Sequence, residues 1–362
     1  MSGTPPLLVD ARPTLSIEGQ EDSALGRDLI RLETREDEQG VAELEAVFVN
    51  YGAPPAGGPP GFVHFDRQRV DFGKRIAVAF ATSGQAETVF DGSISAIGAA
   101  YPEQRPPELV LVAEDNLARL RLLRRSRSFE QATDADMVQQ LAQSAGLRPD
   151  VQLDGPTHAL RWQVGQSELA LLRERAAALD ARIAVRDGAV SVKAAPAQGR
   201  PIPLSRLNEL IRFELRADLA GQRSAVRVHG WDVAGKQAIT EEADSGAARA
   251  VAVAQGRTGA EIVREAWGEA PEDLHLEQPA TSEEARKLAE ARMQSRARRF
   301  IRGRGVTRGT PSLRVGSQVE LLDLGAWFSG VWEVSAVRHS FDQASGYRTE
   351  FEACRAALEQ GA

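Results

Sequence analysis

Apolar and polar residues alternate along most of the chain, and glycine and proline cut the alternation into short runs. Leu44, Ala46 and Phe48 form one run and Ile76, Val78 and Phe80 another; Phe90, Gly92, Ile94 and Ala96 face away from Val89, Asp91, Ser93 and Ser95. Period two is the pattern of antiparallel strands with one buried face. Residues up to about 115 therefore read as β. The loop Gly52–Gly61 is built of proline, glycine and alanine. It cannot be helix or central strand, because proline lacks the N–H and glycine leaves φ unfixed. With strand patterning on both sides, it interrupts a sheet rather than linking two domains.

From Ala113 the period lengthens. Thr133 is placed to cap a helix with Met137, Val138, Leu141, Ala142 and Ala145 on its apolar face and Gly146 at its end. A second helix starts near Ser167 and carries Leu169, Leu172, Ala176 and Leu179. Ile183 and Val185, then Asp187-Gly188, then Val190 and Val192 form a hairpin signal. Proline and glycine between Pro196 and Pro203 mark a boundary, after which strands are expected at Ile211–Leu215 and Ala225–Asp232. A polar, Ala- and Gly-rich passage from about Glu241 to Ala280 reads as an insertion in the last domain. Thr281 and Glu284 offer a capping box for a helix with Ala285, Leu288 and Ala289 on one face. The run Pro311–Arg355 returns to short strands broken by Gly325, Gly330 and Gly346 and completes the last domain.

The fold class is thus α+β, mostly β, with expected domains over 1–115, 116–200 and 201–362. A length of 362 residues suits two or three domains. No apolar run approaches the ~20 residues that span a bilayer. The N-terminal MSGTPPLLVDARP lacks the basic and apolar regions of a secretory signal, so synthesis and folding in the cytoplasm are expected. The single Cys354 excludes an intrachain disulfide and multi-cysteine metal sites, and reads as a small buried residue. Net charge is −7, unevenly spread: Thr281–Arg308 carries nine basic and three acidic residues, leaving −13 for the rest. Leu117–Arg127 adds five arginines and no acid. An acidic body with basic segments suits subunits packing on one another better than a free nucleic-acid binder.

Catalytic constellations are missing. His64, His158, His229, His275 and His339 are scattered, none in an HExxH pattern, and His339 and His229 read as structural strand residues. Glu241, Glu242 and Asp244 lack the apolar surroundings that would raise an acid's pKa and read as a solvated loop. Glu114-Asp115 suits a helix start. There is no G-x-S-x-G or P-loop, and Gly303-Arg-Gly305 lacks the context for dinucleotide binding. No catalytic, cofactor or metal residue is assigned. The candidate site is a basic helix bearing Arg292, Arg296, Arg299 and Arg302, read either as a subunit interface or as a solvated face with local pairs such as Glu283–Lys287. Nucleic acid ranks last, since no aromatic residues are interleaved.

The closing run resembles the last sheet of the phage late control D and VgrG-type hub family of contractile injection machines. The matching residues are Gly325, Phe328, Gly330, Trp332, Val334, Val337, His339, Phe341, Gly346, Tyr347, Thr349 and Phe351, with Trp332 where a tyrosine is usual. Phe90–Ile97 followed by Leu109–Asp115, Trp162–Leu172, and Val226–Asp232 are similar to further family segments, so the resemblance covers about four-fifths of the chain. Leu171 or Leu172 departs from the family's phenylalanine–leucine pair.

The resemblance implies two β-barrel-like tube domains flanking a small α/β domain. It also implies a structural, non-enzymatic role as a homotrimeric hub joining a trimeric spike to a hexameric inner tube among baseplate proteins. The trimer would present six similar units, a duplication that comparing the two halves of the sequence does not reveal. With the chain stopping at Ala362, the spike is expected to be a separate polypeptide, in a phage tail or an injection particle. The competing classes are a baseplate-associated cell-wall hydrolase and a DNA-binding regulator.

Overall fold

The computed structural model describes residues 12–359 apart from 54–57, 66, 83, 84, 123, 195–198, 253, 254 and 276–278. Most of the N-terminal segment, part of the Gly52–Gly61 loop and part of the Pro196–Pro203 boundary lie outside the described residues. The first third holds β1 (Thr14–Ile17), β2 (Gln20–Glu21), α1 (Ser23–Asp28), β3 (Leu29–Asp37), β4 (Glu43–Val49), β5 (Arg75–Thr82), β6 (Gln85–Ala100) and β7 (Glu108–Glu114). The middle holds α2 (Ala118–Leu122), β8 (Arg124–Thr133), α3 (Asp134–Ser144), β9 (Arg148–Gln152), β10 (Thr157–Ser167), α4 (Glu168–Ala178), β11 (Arg182–Arg186) and β12 (Ala189–Lys193). The last part opens with β13 (Ile202–Ser205), β14 (Leu210–Ala217), β15 (Ala225–Asp232), β16 (Gln237–Ala243), α5 (Ser245–Ala250), α6 (Gly259–Trp267) and β17 (Pro271–Leu274). It closes with α7 (Ser282–Arg298), β18 (Ile301–Arg308), β19 (Gln318–Leu322), β20 (Gly330–Asp342) and β21 (Gly346–Arg355).

One sheet runs through both β-rich parts, in the order β2-β1-β5-β6-β7-β4-β3-β20-β21-β18-β14, with β19 on β20 and β13 on β19. Within it a six-strand unit occurs twice. The order β3-β4-β7-β6-β5 is repeated by β14-β18-β21-β20-β19, every pair antiparallel. β1 and β13 complete the two units, the first antiparallel to β5 and the second parallel to β19. Bulges recur at matching places, Leu29/Arg31 with Leu210/Arg212, and Ile94/Ala96 with Val334/Ala336. The strand pairing also exposes a sequence repeat that reading by halves misses. DLIRLETRED (28–37) and ELIRFELRAD (209–218) share six of ten residues.

Period-2 burial holds where it was expected. Leu44, Ala46, Phe48, Ile76, Val78 and Phe80 are all fully buried. β6 departs from strict alternation: Val89 and Phe90 are both buried and Ala96 is exposed. The physical reason is a bulge near each end, opposite Val78/Ala79 and at Ile94/Ala96, since one extra residue transfers the following side chains to the other face.

The closing hairpin corrects the sequence reading. It does not belong to the last part alone. Gly330–Glu333 of β20 pair with β19, whereas Ala336–Asp342 pair with β3. The bulge between Val334 and Ala336 is where the strand changes partner. Trp332, Val334, Val337 and Phe351 fill the second core, but Phe341 and Tyr347 pack in the first, with Tyr347 stacked on Phe80 at 3.6 Å.

In the middle part Thr133 caps α3, with Asp136 returning the bond, and Ser167 caps α4. Met137, Val138, Leu141, Leu172, Val190 and Val192 make its core. Asp187 and Gly188 both take positive φ, which suits a two-residue hairpin turn. The polar insertion is structured: with β15 and α7 it forms a small αβ layer between β14 and β18. Val226, Val228, Ile239, Ala248, Ala260 and Ala289 form its core. Glu241 and Glu242 lie in β16, where Glu242 pairs with Arg227, and Asp244 caps α5. Small residues hid this core from a hydrophobicity reading.

Candidate functional site

The four arginines expected on one helix come together on one groove, though not as expected. α7 ends at Arg298, Arg299 is its C-terminal cap, and Arg302 belongs to β18. The groove has a volume of about 490 Å³, and all four line it together with Arg216 and Asp218. Arg216 of β14 stands directly across from Arg302. Like charges opposite one another in a sheet are unfavourable unless something neutralises them. Arg296 is already committed: its guanidinium forks onto Glu272 and donates to the Gly221 carbonyl at 2.9 Å, tying α7 to β17. Arg298 is buried against Asp180. The expected Glu283–Lys287 pair is replaced by Lys287–Asp154 at 2.7 Å, which reaches the middle part. Thr281 caps α7, but Glu284 accepts from the Ala280 N–H rather than that of Thr281.

Three buried ionic nodes join the three parts, and no local pattern in the sequence announces them. At the first, Glu36 of β3 accepts from Arg186 of β11 at 3.0 and 3.1 Å, from Arg314 at 3.2 Å, and from the Val315 N–H at 2.7 Å. Burial pushes the Glu36 pKa up, but Arg314, Arg186 and the Val315 N–H outweigh it, and the carboxylate stays below its ordinary value. The second gathers Glu38, Asp180, Arg182, Arg298 and Glu333, with Arg182 on Glu333 and Arg298 on Asp180. There burial dominates and holds the Asp180 and Glu333 pKa values up.

At the third, His158 of β10 lies between Asp134 at 3.1 Å and Glu284 of α7 at 2.6 Å, with Arg175 on Asp134 at 3.3 Å. Burial disfavours the imidazolium, yet the hydrogen bonds it donates to Asp134 and Glu284 prevail and raise the His158 pKa. Glu284 is lowered from 4.5: its burial cost is exceeded by His158, the Ala280 N–H and Arg161. A histidine raised above 6.5 lends stability below that value and loses it as pH rises through the folded pKa. A lowered glutamate lends stability above 4.5 and loses it as pH falls. The junction is therefore strongest between these limits. The melting temperature lost on His158→Gln should be larger at pH 6 than at pH 8; equal losses would refute the imidazolium.

The acids and imidazole converge on a cavity of only about 20 Å³, room for about one water and no substrate. Among the described residues no cluster of His, Cys, Asp or Glu is arranged to hold a metal. His339 is a structural residue. It is buried, donates from Nε2 to the Leu313 carbonyl at 3.1 Å, and so presents Nδ1 as acceptor to Tyr347 Oη at 2.8 Å and Thr349 Oγ1 at 3.1 Å. Burial, aided by Arg314, pushes it down to about 3. Asp115 is buried before α2, accepts from the Ala42 and Leu117 N–H groups, and is pushed up to about 6 by burial. Cys354 is buried in β21, its thiol raised to about 12 by burial and by Glu333. No helix is long and apolar enough to cross a membrane, among the described residues.

Residues 64–343 match the family described as Alg8 N-terminal domain. The chain belongs to the Alg8 N-terminal domain family. No curated protein matches the sequence. Among solved structures, this family member is similar to the 43 kDa tail protein of prophage MuSo2 from Shewanella oneidensis, at 13% identity and TM-score 0.70, over 96% of this chain and 99% of that one. It is similar to the tail protein of Neisseria meningitidis MC58 at 13% identity and TM-score 0.66, over 95% and 96%. A third is an Escherichia coli component of the type VI secretion system with structural similarity to T4 tail proteins gp27 and gp5, at 14% identity and TM-score 0.57, over 96% and 79%. At these identities the likeness is one of fold: this Alg8 N-terminal domain member has the fold of phage tail proteins.

Proposed function

We propose that the chain is a structural hub of a contractile tail or injection particle, of the late control D and VgrG type, that assembles as a homotrimer and joins a trimeric spike to a hexameric inner tube. The observation that carries this reading is the twice-repeated strand order within one chain. Three copies present six similar units, so a ring with threefold symmetry can seat a sixfold partner. On this reading residues 1–115 and 201–362 are the two tube-like domains, and 116–200 is the α+β domain between them. The three ionic nodes suit the role, because an adaptor that matches symmetries must hold its repeats at one angle. The groove lined by Arg216, Arg292, Arg299 and Arg302, with Arg296 held in its wall by Glu272, serves as a contact surface for acidic groups of neighbouring baseplate subunits.

Native mass measurement tests the stoichiometry and a peptidoglycan-clearing assay tests the class. A mass three times 39.1 kDa without turnover is the expected outcome. A persistent monomer or dimer, or robust clearing, would overturn the hub.

A further inference from the structure

The second core is unfinished where the first is closed. Among the described residues, Ala42 and Ile97 alone sit half-buried at the rim of the first core, whereas Phe213, Leu215, Leu219, Ile262, Leu324, Phe328 and others do so around the second. The difference has an identifiable source. In the first unit the edge of β3 is covered by the far end of β20, which places Phe341 opposite Leu32 and buries it to 6% exposure. In the second unit the equivalent strand, β14, pairs with β18 and has no partner on its other edge among the described residues. Phe213, which stands where Leu32 stands in the first unit, is therefore left half-exposed.

The strand equivalent to β20 also has a free end. β6 pairs with β5 through Ser93, and beyond its bulge it pairs with β7 alone. Tyr101 lies five residues after Ala96, as Phe341 lies five after Ala336, and it is 67% exposed. Ile97, Ala99 and Tyr101 thus line up with Val337, His339 and Phe341. Ala96, Gly98 and Ala100 on the other face carry no bulk or charge to oppose Asp218, Arg216 and Glu214.

We propose that β14 of one copy pairs antiparallel with the free end of β6 in a second copy, repeating between chains the β3–β20 junction found within each chain. The register follows from that junction: Ala96 lies opposite Asp218 and Tyr101 opposite Phe213. Tyr101 then completes the neighbour's second core as Phe341 completes the first. Each unit has one β3-type edge and one β6-type end, so the pairing is head to tail, and in the trimer of the reading above it closes after six units. It rests on the trimeric reading above, but names the strands that make the ring.

Cysteine pairs in the full chain test the register. Ala96→Cys with Asp218→Cys would place Cβ atoms roughly 4.5–5.5 Å apart between copies. Ala96→Cys with Arg212→Cys would separate them by roughly 20 Å. Native Cys354 is buried, with its thiol raised to about 12, and stays silent. Mild oxidation should give covalent dimers and trimers from the first pair and not from the second. Tyr101→Asp, exposed in the single chain, should leave the melting curve of the monomer unchanged and weaken association by more than about tenfold. A native trimer in which neither pair links, or both link equally, overturns the pairing and leaves the trimer standing. A wild-type chain that is monomeric at every concentration, with no linked species, overturns both.

Discussion

Glu36→Gln should lower the free energy of unfolding by about 3–5 kcal/mol, the cost of removing one partner from a buried ion cluster. The carboxylate is shared by Arg186 and Arg314, which come from the middle and last parts of the chain. The amide leaves two guanidiniums facing each other, and one of its ends cannot accept from the Val315 N–H that Glu36 now binds at 2.7 Å. Because the Glu36 pKa is held below 4.5, its contribution is present above that value and disappears as pH falls through the folded pKa. Denaturant titration of both proteins at neutral and acid pH measures the effect. The gap between wild type and variant should narrow towards acid, and a loss below about 1 kcal/mol at neutral pH would show that the node does not hold the parts together.

Tyr347→Ala should cost about 3–5 kcal/mol, the usual range for deleting a buried aromatic ring. The ring stacks on Phe80, and the hydroxyl reaches His339 Nδ1 at 2.8 Å. Tyr347→Phe keeps the ring and should cost about 1 kcal/mol, the worth of one hydrogen bond. Since β20 and β21 run through both cores, the alanine variant should still unfold in one transition at lower denaturant. A second transition would mean that the hairpin does not couple them. His339 adds an acid dependence of its own. With a folded pKa of about 3 against 6.5 unfolded, the unfolded chain takes up the proton first, so stability falls as pH drops from 6.5 towards 3. Asp115 opposes part of this, because its pKa of about 6 lets the folded state bind a proton earlier than the unfolded chain.

Local features were legible in the sequence because their causes are local. The caps at Thr133 and Thr281, the helix start near Ser167, the Asp187-Gly188 turn and the alternation in β4 and β5 each depend on residues a few positions apart. Of the inserted αβ layer, β15 and α7 were legible, but β16, α5, α6 and β17 were not, because the core they share is mostly alanine and valine. Arg216 joins the groove of Arg292, Arg296, Arg299 and Arg302 only through the pairing of β14 with β18, so it escaped a reading confined to one helix. The partners of Glu36 lie 150 and 278 residues away, a separation at which no spacing rule applies.

Patterning along the chain determined by itself that this protein is mostly β and where α3, α4 and α7 begin. Only the tertiary structure decided that the closing hairpin serves two cores, that arginine–carboxylate nodes unite the three parts, and that a single strand order occurs twice. Alternation specifies which face of a strand is buried, since that depends on nearest neighbours. Which strand it lies beside depends on backbone hydrogen bonds between distant segments, and those leave no periodic mark on side-chain order.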